Sequence, residues 1–232
     1  MKEIIINADD FGRSHEINLA IVKCFQMGYI QRTTLMVNMP YADEAVELAR
    51  ENGFFDKVGL HLNLGEGQPV NIKTKKTFLC SDEKFNSCVN KRRFPAWRIV
   101  INNSDRSIIR DEINSQILKY VEYGFCCKHM DSHRHIHYNM GVLFSVMPLI
   151  KKYGFKSIRV RNDDKGGSLI ERVAYKLILK KLSIKHADYF FSLREWNGFI
   201  DKSMYADKRI ELSVHPFLSS DGKIVDSKGI IF

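Results

Sequence analysis

The sequence lacks the features that mark several familiar protein classes. No apolar run approaches the roughly 18 residues of a membrane-spanning helix, and the start, MKEIIINADDFG, passes directly from a short apolar run into acidic residues. No charged-then-apolar leader is visible, so a cytoplasmic protein is expected. The five cysteines, Cys24, Cys80, Cys88, Cys126 and Cys127, are odd in number and show no CxxC spacing. That argues against a disulfide framework and for reduced thiols, with Cys126 and Cys127, beside Phe125, read as buried or half-buried structural residues. GxSxG, P-loop and GxGxxG contexts are missing, which weakens serine hydrolase, nucleotide hydrolase and dinucleotide readings. No Pro/Gly/Ser-rich linker divides the 232 residues, so they read as one domain.

Acidic residues are also in deficit. Lys and Arg outnumber Asp and Glu by 36 to 27, giving a formal charge of +9. The excess lies in scattered groups, among them Lys91/Arg92/Arg93 and Lys176/Lys180/Lys181/Lys185. No helix-turn-helix, RNP or zinc-finger pattern accompanies it, so nucleic acid is not the expected partner and the charge reads as solvated surface. A weak contact with an anionic membrane face, an anionic substrate and a homodimer are all compatible with such a surface.

Apolar periodicity alternates between strand and helix spacing. Strands are expected at 3–7, 33–38, 57–64, 127–132, 156–161, 187–191 and 209–214, and helices at 15–27, 42–52, 107–123, 140–153 and 168–182. In the last helix Ile170, Val173, Ala174, Leu177 and Ile178 read as a core-facing stripe. This rhythm implies parallel strands with helices packed outside: an α/β fold, here a distorted (β/α) barrel of about seven strands. Periodicity fails at 71–106, where a substrate loop or lid is expected. Its Phe78, Phe85, Phe94 and Trp97 are candidates either to pack that lid or to stack on a ring.

In such folds, groups at the carboxyl ends of the strands meet on one face. Four strand ends here carry chemistry: Asp9-Asp10, His61, the run Asp131-Ser132-His133-Arg134-His135-Ile136-His137, and His215. Adjacent carboxylates repel unless a cation or shared proton relieves them, so the Asp pair suits a metal ligand beside a general base; the alternative is a helix cap. His61 and Asn63 share one face of an extended GLHLNL. Asp131, His133, His135 and His137 would share one side of an extended backbone, and imidazoles suit first-row metals. His215, before Pro216, could act as an acid, and Arg159 could stabilise an oxyanion or orient a carboxylate.

NADDFG at 7–12, TTLMVN at 33–38, VGLHLNLGEGQPV at 58–70, HMDSHRHIH at 129–137 and VHPF at 214–217 resemble, in order and spacing, the motifs of the YdjC-like carbohydrate deacetylases. The resemblance implies hydrolysis of an N-acetyl group on an amino sugar or short oligosaccharide, with one divalent ion, Mg²⁺ or Zn²⁺. It makes Asp10, His61 and His133 the metal ligands, Asp9 the base and His215 the acid. Asp131, His135, His137, Arg159 and Asn63 are left to substrate binding or to orienting the ligands. Relatives continue further beyond the VHPF motif, so either a different barrel closure or a missing terminal helix is expected. The rival readings are an amidohydrolase-like enzyme acting on another small amide and a non-catalytic glycan-binding protein.

Overall fold

The computed structural model describes residues 3–91, 103–160, 169–198 and 200–227. Phe94 and Trp97 lie outside the described residues. The chain opens with β1 (Glu3–Phe11), α1 (His15–Gln26), β2 (Arg32–Leu35), α2 (Ala42–Glu51) and β3 (Val58–Leu62). A small hairpin, β4 (Cys80–Ser81) and β5 (Lys84–Phe85), and one helical turn, α3 (Cys88–Lys91), follow. Alternation resumes with α4 (Asn103–Glu122), β6 (His129–Ser132), α5 (Met140–Tyr153), β7 (Ser157–Ile158), α6 (Leu169–Lys181), β8 (Tyr189–Ser192), α7 (Leu193–Gly198) and β9 (Arg209–Val214). A final hairpin pairs β10 (Pro216–Leu218) with β11 (Ile224–Asp226).

The seven long-range strands form one parallel sheet in the order β7-β6-β3-β2-β1-β9-β8, curled into a half-barrel. Each expected strand is present, because short β-branched runs between helices leave parallel pairing as the way to satisfy their backbone groups. Among the described residues, an isolated parallel bridge joins Ser157 of β7 to Lys185, which precedes β8 at the other edge of the sheet. The hairpin of β10 and β11 was not legible in advance; it packs on α1.

The two faces of the sheet differ in chemistry. Val58, Leu60 and Leu62 of β3 join the apolar core, as do Ala20, Ile21 and Cys24 of α1. The alternate positions are polar and equally buried, including Asn7, Asp9, His61, Asp131 and Glu211. Ionised groups are costly inside a protein unless paired, and here they are paired across the barrel by Arg159, which is fully buried.

Two local expectations need correction in part, those for the α6 stripe and for Cys126. Ala174 and Ile178 of the expected α6 stripe pack against the core beside buried Tyr175 and Leu179, whereas Val173 and Leu177 are exposed, so the buried face is rotated partly away from the position that spacing suggests. Of the two roles open to the loop aromatics, packing holds for both described ones: Phe85 is buried and Phe78 packs against the core. Cys126 is exposed, whereas Cys127 is half-buried, and none of the five cysteines forms a disulfide. Among the described residues no helix is long and apolar enough to cross a membrane.

Candidate active site and metal centre

The site begins with an irregularity in β1. Ala8 pairs with Thr33 and Phe11 with Leu35, so three steps of β1 run against two of β2. The extra residue is accommodated at Asp10, whose φ of 67° is left-handed and costly for any side chain but glycine. In a regular strand, neighbours point to opposite faces. The bulge instead turns both Asp9 and Asp10 into one cavity of about 490 Å³. Neither caps a helix: Ser14 caps α1, accepting from the Ile17 amide at 3.3 Å.

Asp10 Oδ1 lies 3.2 Å from His61 Nε2 and 3.0 Å from His133 Nδ1. Their ligand atoms all fall within 4.8 Å of one another, on three buried residues. His61 is fixed from behind: its Nδ1 is 2.6 Å from Asp131 Oδ1 and 3.2 Å from Thr34 Oγ1. A carboxylate on the far nitrogen sets the ring and leaves Nε2 for a cation. Burial alone would push the His61 imidazole down, but the Asp131 carboxylate and the bond to Asp10 hold it up at about 10. The two carboxylates thus call for positive charge between them, which a divalent ion supplies as readily as a proton. One carboxylate and two imidazoles converging at a cavity wall are groups that could hold a metal ion with positions left open.

Two other buried clusters meet the same distance criterion, Asp9/His61/Asp131 and His129/Asp131/Glu211. Both already contain a cation's worth of charge. Arg159 donates to Asp9 Oδ1 and Oδ2 at 2.7 Å each, lies 2.7 Å from Asp131 Oδ2, and donates to Glu211 Oε1 at 2.8 Å. Of the two roles open to Arg159, the structure places it on carboxylates. Burial raises the Asp9 carboxyl, but the Arg159 charge and hydrogen bonds outweigh it and keep Asp9 ionised. His215 Nε2 stands 3.7 Å from Asp9 Oδ2 at the cavity wall, held by its amide donating to Asp226 Oδ2 at 2.6 Å.

The histidine run does not stay extended. After Ser132 it turns into a short 3₁₀ segment with left-handed Arg134 (φ 51°) and His135 (φ 55°), which sends the rings apart. His133 faces Asp10. His137 turns into the protein, close to Ser132 Oγ and 3.1 Å from the Arg159 carbonyl oxygen, where burial lowers it to about 3. His135 lines the cavity as a ring stacked on Tyr138 at 5.2 Å, and burial, then Arg159, hold it well below the usual range.

Asn63 spends its side chain on the loop after β3. Its Oδ1 accepts from the Gly65 and Glu66 amides at 2.9 and 3.2 Å, and its Nδ2 donates to the Glu66 carbonyl at 2.8 Å. From below, α4 clasps the same loop, with Gln116 on the Asn63 backbone and Glu112 accepting from the Val70 and Asn71 amides. Glu66 is thereby brought to the site, 3.6 Å from His133 Nε2, beside Arg13. Sequence reasoning passed over Glu66, Arg13 and Glu211. Position one loop beyond a functional strand end was the only available signal for Glu66, and Glu211 looked like an ordinary charged residue within a strand.

The YdjC-like protein family profile matches residues 3–228, and the chain belongs to that family. Among curated relatives, a carbohydrate deacetylase of Thermoanaerobacter pseudethanolicus is 37% identical over 66% of this chain and 58% of its own length. Another, from Clostridium beijerinckii, is 29% identical over 99% of this chain and 86% of its own. In several of these comparisons, then, the matched stretch spans little more than half of the relative. A solved structure from Enterococcus faecalis V583, described as a proposed cellobiose-phosphate cleavage protein, shares the fold with a TM-score of 0.74 at 22% identity, covering 95% of this chain and 83% of that one.

Proposed function

We propose that the protein hydrolyses the N-acetyl group of an amino sugar or of a short or lipid-linked oligosaccharide, releasing acetate. The observation that carries this reading is the juxtaposition, in one cavity, of Asp10, His61 and His133 with an ionised Asp9 and a neighbouring His215. The naming of relatives as carbohydrate deacetylases supports the choice of substrate class.

Asp10, His61 and His133 would hold one divalent ion, Mg²⁺ or Zn²⁺, the two imidazoles favouring the latter. When bound, that ion supplies Lewis acidity to the acetamide carbonyl and to the attacking water. Asp9, kept charged by Arg159, accepts the water's proton as the oxygen adds to the carbonyl carbon. His215 protonates the departing nitrogen, the C–N bond breaks, and the water's oxygen ends in acetate. Asp131 holds His61 in orientation and His135 forms a neutral wall. Pro216 and Phe217, also in the cavity lining, offer an apolar surface to a sugar face.

The reading further takes the chain as one deacetylase domain, with 71–106 as its substrate loop, working in the cytoplasm. The test is acetate release from a panel of N-acetylated mono- and oligosaccharides, using protein stripped of metal and resupplied with Mg²⁺, Mn²⁺, Co²⁺ or Zn²⁺, beside Asp9→Asn and His133→Ala. Metal-dependent release that collapses in both variants is the expected result. Tight metal binding with no release from any sugar would redirect the reading to another small amide or to glycan binding without turnover.

A further inference from the structure

Two residues that the proposed reaction does not use close a ring around the ligand set. Arg13 NH1 lies 3.1 Å from Asp10 Oδ2, the oxygen turned away from the histidines. The same guanidinium reaches Glu66, with Nε 2.8 Å from Oε1 and NH2 donating to Oε2 at 3.2 Å. Glu66 Oε1 faces His133 Nε2 at 3.6 Å, and His133 Nδ1 returns to Asp10 Oδ1 at 3.0 Å. His133 Nε2 is buried and makes no hydrogen bond, and the Glu66 carboxylate is the acid it faces.

The local backbone explains why these groups meet. Arg13 follows the bulge in β1 directly, its amide donating to the Asp10 carbonyl at 3.1 Å. Glu66 sits in the loop that Asn63 ties down, and the next residue, Gly67, has φ of 73° with room for a Cβ denied by Met39 Sδ at 2.7 Å. Arg13 and Glu66 are partly exposed, at 38% and 22%, and Arg13 lines the cavity.

We infer that Arg13 and Glu66 are an outer clamp on the ligand set, in which Arg13 caps the outer oxygen of Asp10 and Glu66 fixes His133 through its far nitrogen. They are positioning residues, and the inference rests on the proposed metal site. Capping Oδ2 confines Asp10 to a single ligand oxygen, Oδ1, and leaves positions open for water and substrate. The Glu66 carboxylate favours a proton on His133 Nε2, which leaves the Nδ1 lone pair for the ion, a longer-range counterpart of the hydrogen bond by which Asp131 orients His61. Glu66 also neutralises Arg13, whose charge would otherwise repel a divalent ion.

That balance of charge makes the test specific. The full chain is stripped of metal and its affinity for Zn²⁺ and for Co²⁺ is measured by competition with a chromophoric chelator, for the parent, Glu66→Gln, Glu66→Asp, Arg13→Gln and the double variant Arg13→Gln/Glu66→Gln. Metal-free melting shows whether each variant is folded. Glu66→Gln is expected to weaken binding about 10- to 100-fold, as loss of an outer partner typically does, and Glu66→Asp to keep most of the affinity. Arg13→Gln should weaken binding in the parent, where it frees Asp10 and Glu66, and strengthen it in Glu66→Gln, where it removes a cation that no longer has Glu66 to offset it and that competes with the ion for Asp10. If Glu66→Gln binds within twofold of the parent, or Arg13→Gln has the same effect in both backgrounds, the clamp is overturned while the metal site stands. If the parent binds neither ion, the metal site and the clamp fall together.

Discussion

Arg159 grips Asp9 with both ends of its guanidinium, NH1 on Oδ2 and NH2 on Oδ1, each at 2.7 Å and wholly out of contact with water. The same side chain meets Asp131 and Glu211, so one cation serves three buried carboxylates. Its removal leaves Asp9 without its bidentate partner and Glu211 with only Arg32 beside it. Breaking a buried pair by deleting one partner commonly costs about 3–5 kcal/mol, and Arg159→Met is expected to lose at least that much. Urea unfolding followed by circular dichroism checks it; a change below about 1 kcal/mol, the range of exposed pairs, would show that the network is not structural.

Acid should unfold the protein through Glu211. Burial pushes its carboxyl up, yet the adjacent Arg32 and Arg159 charges prevail and bring it down to about 2. Because the folded value lies below the unfolded one, the unfolded chain takes up more protons, and stability is full above about pH 4.5 and lost as pH falls toward about 2. This group alone contributes roughly 3 kcal/mol across that window. Glu211→Gln should be less stable at neutral pH but show a flatter loss between pH 5 and 2, measured by urea titrations at a series of about six pH values. An unchanged slope would assign the acid sensitivity to other carboxylates.

His215 is expected to matter most when the leaving amine is poor. General acid catalysis is worth about 10²- to 10⁴-fold, so His215→Gln should lower kcat on an N-acetyl amino sugar by that order. On an activated aryl acetate, whose phenolate oxygen leaves as a stable anion without a proton, the loss should shrink toward none. Equal losses on both substrates would assign His215 to substrate binding instead.

Position 10 separates backbone strain from chemistry. Asp10→Gly and Asp10→Ala both remove the carboxylate, but only glycine is at ease at φ 67°. The glycine variant should be more stable than the alanine variant by about 1 kcal/mol, while neither shows a metal-induced rise in Tm. Equal melting temperatures would mean that the bulge relaxes when the side chain is lost.

The sheet was legible in the sequence because alternate apolar residues at β3 and β9 mark strands and the helices between them mark parallel pairing. Asp10, His61 and His133 were legible as strand-end groups, and their convergence follows from the half-barrel. What escaped notice depended on contacts far apart in sequence. Nothing local to Arg159 says that it will meet Asp9, 150 residues earlier. Glu211 and Glu66 look like solvated charges until the barrel encloses one and a tied loop presents the other. The histidine run misled because alternation assumes an extended backbone, and left-handed Arg134 and His135 break that assumption.

The mismatch of three residues of β1 against two of β2 makes chain length itself part of the active site. Deleting either Asp9 or Asp10 would leave Ala8 and Phe11 two steps apart, in step with Thr33 and Leu35, so the ladder would heal. A single carboxylate would then remain, facing one side of the sheet only. Between Ala8 and Phe11 the strand can therefore be regular or it can present its pair of acids, and no sequence of the shortened length can do both.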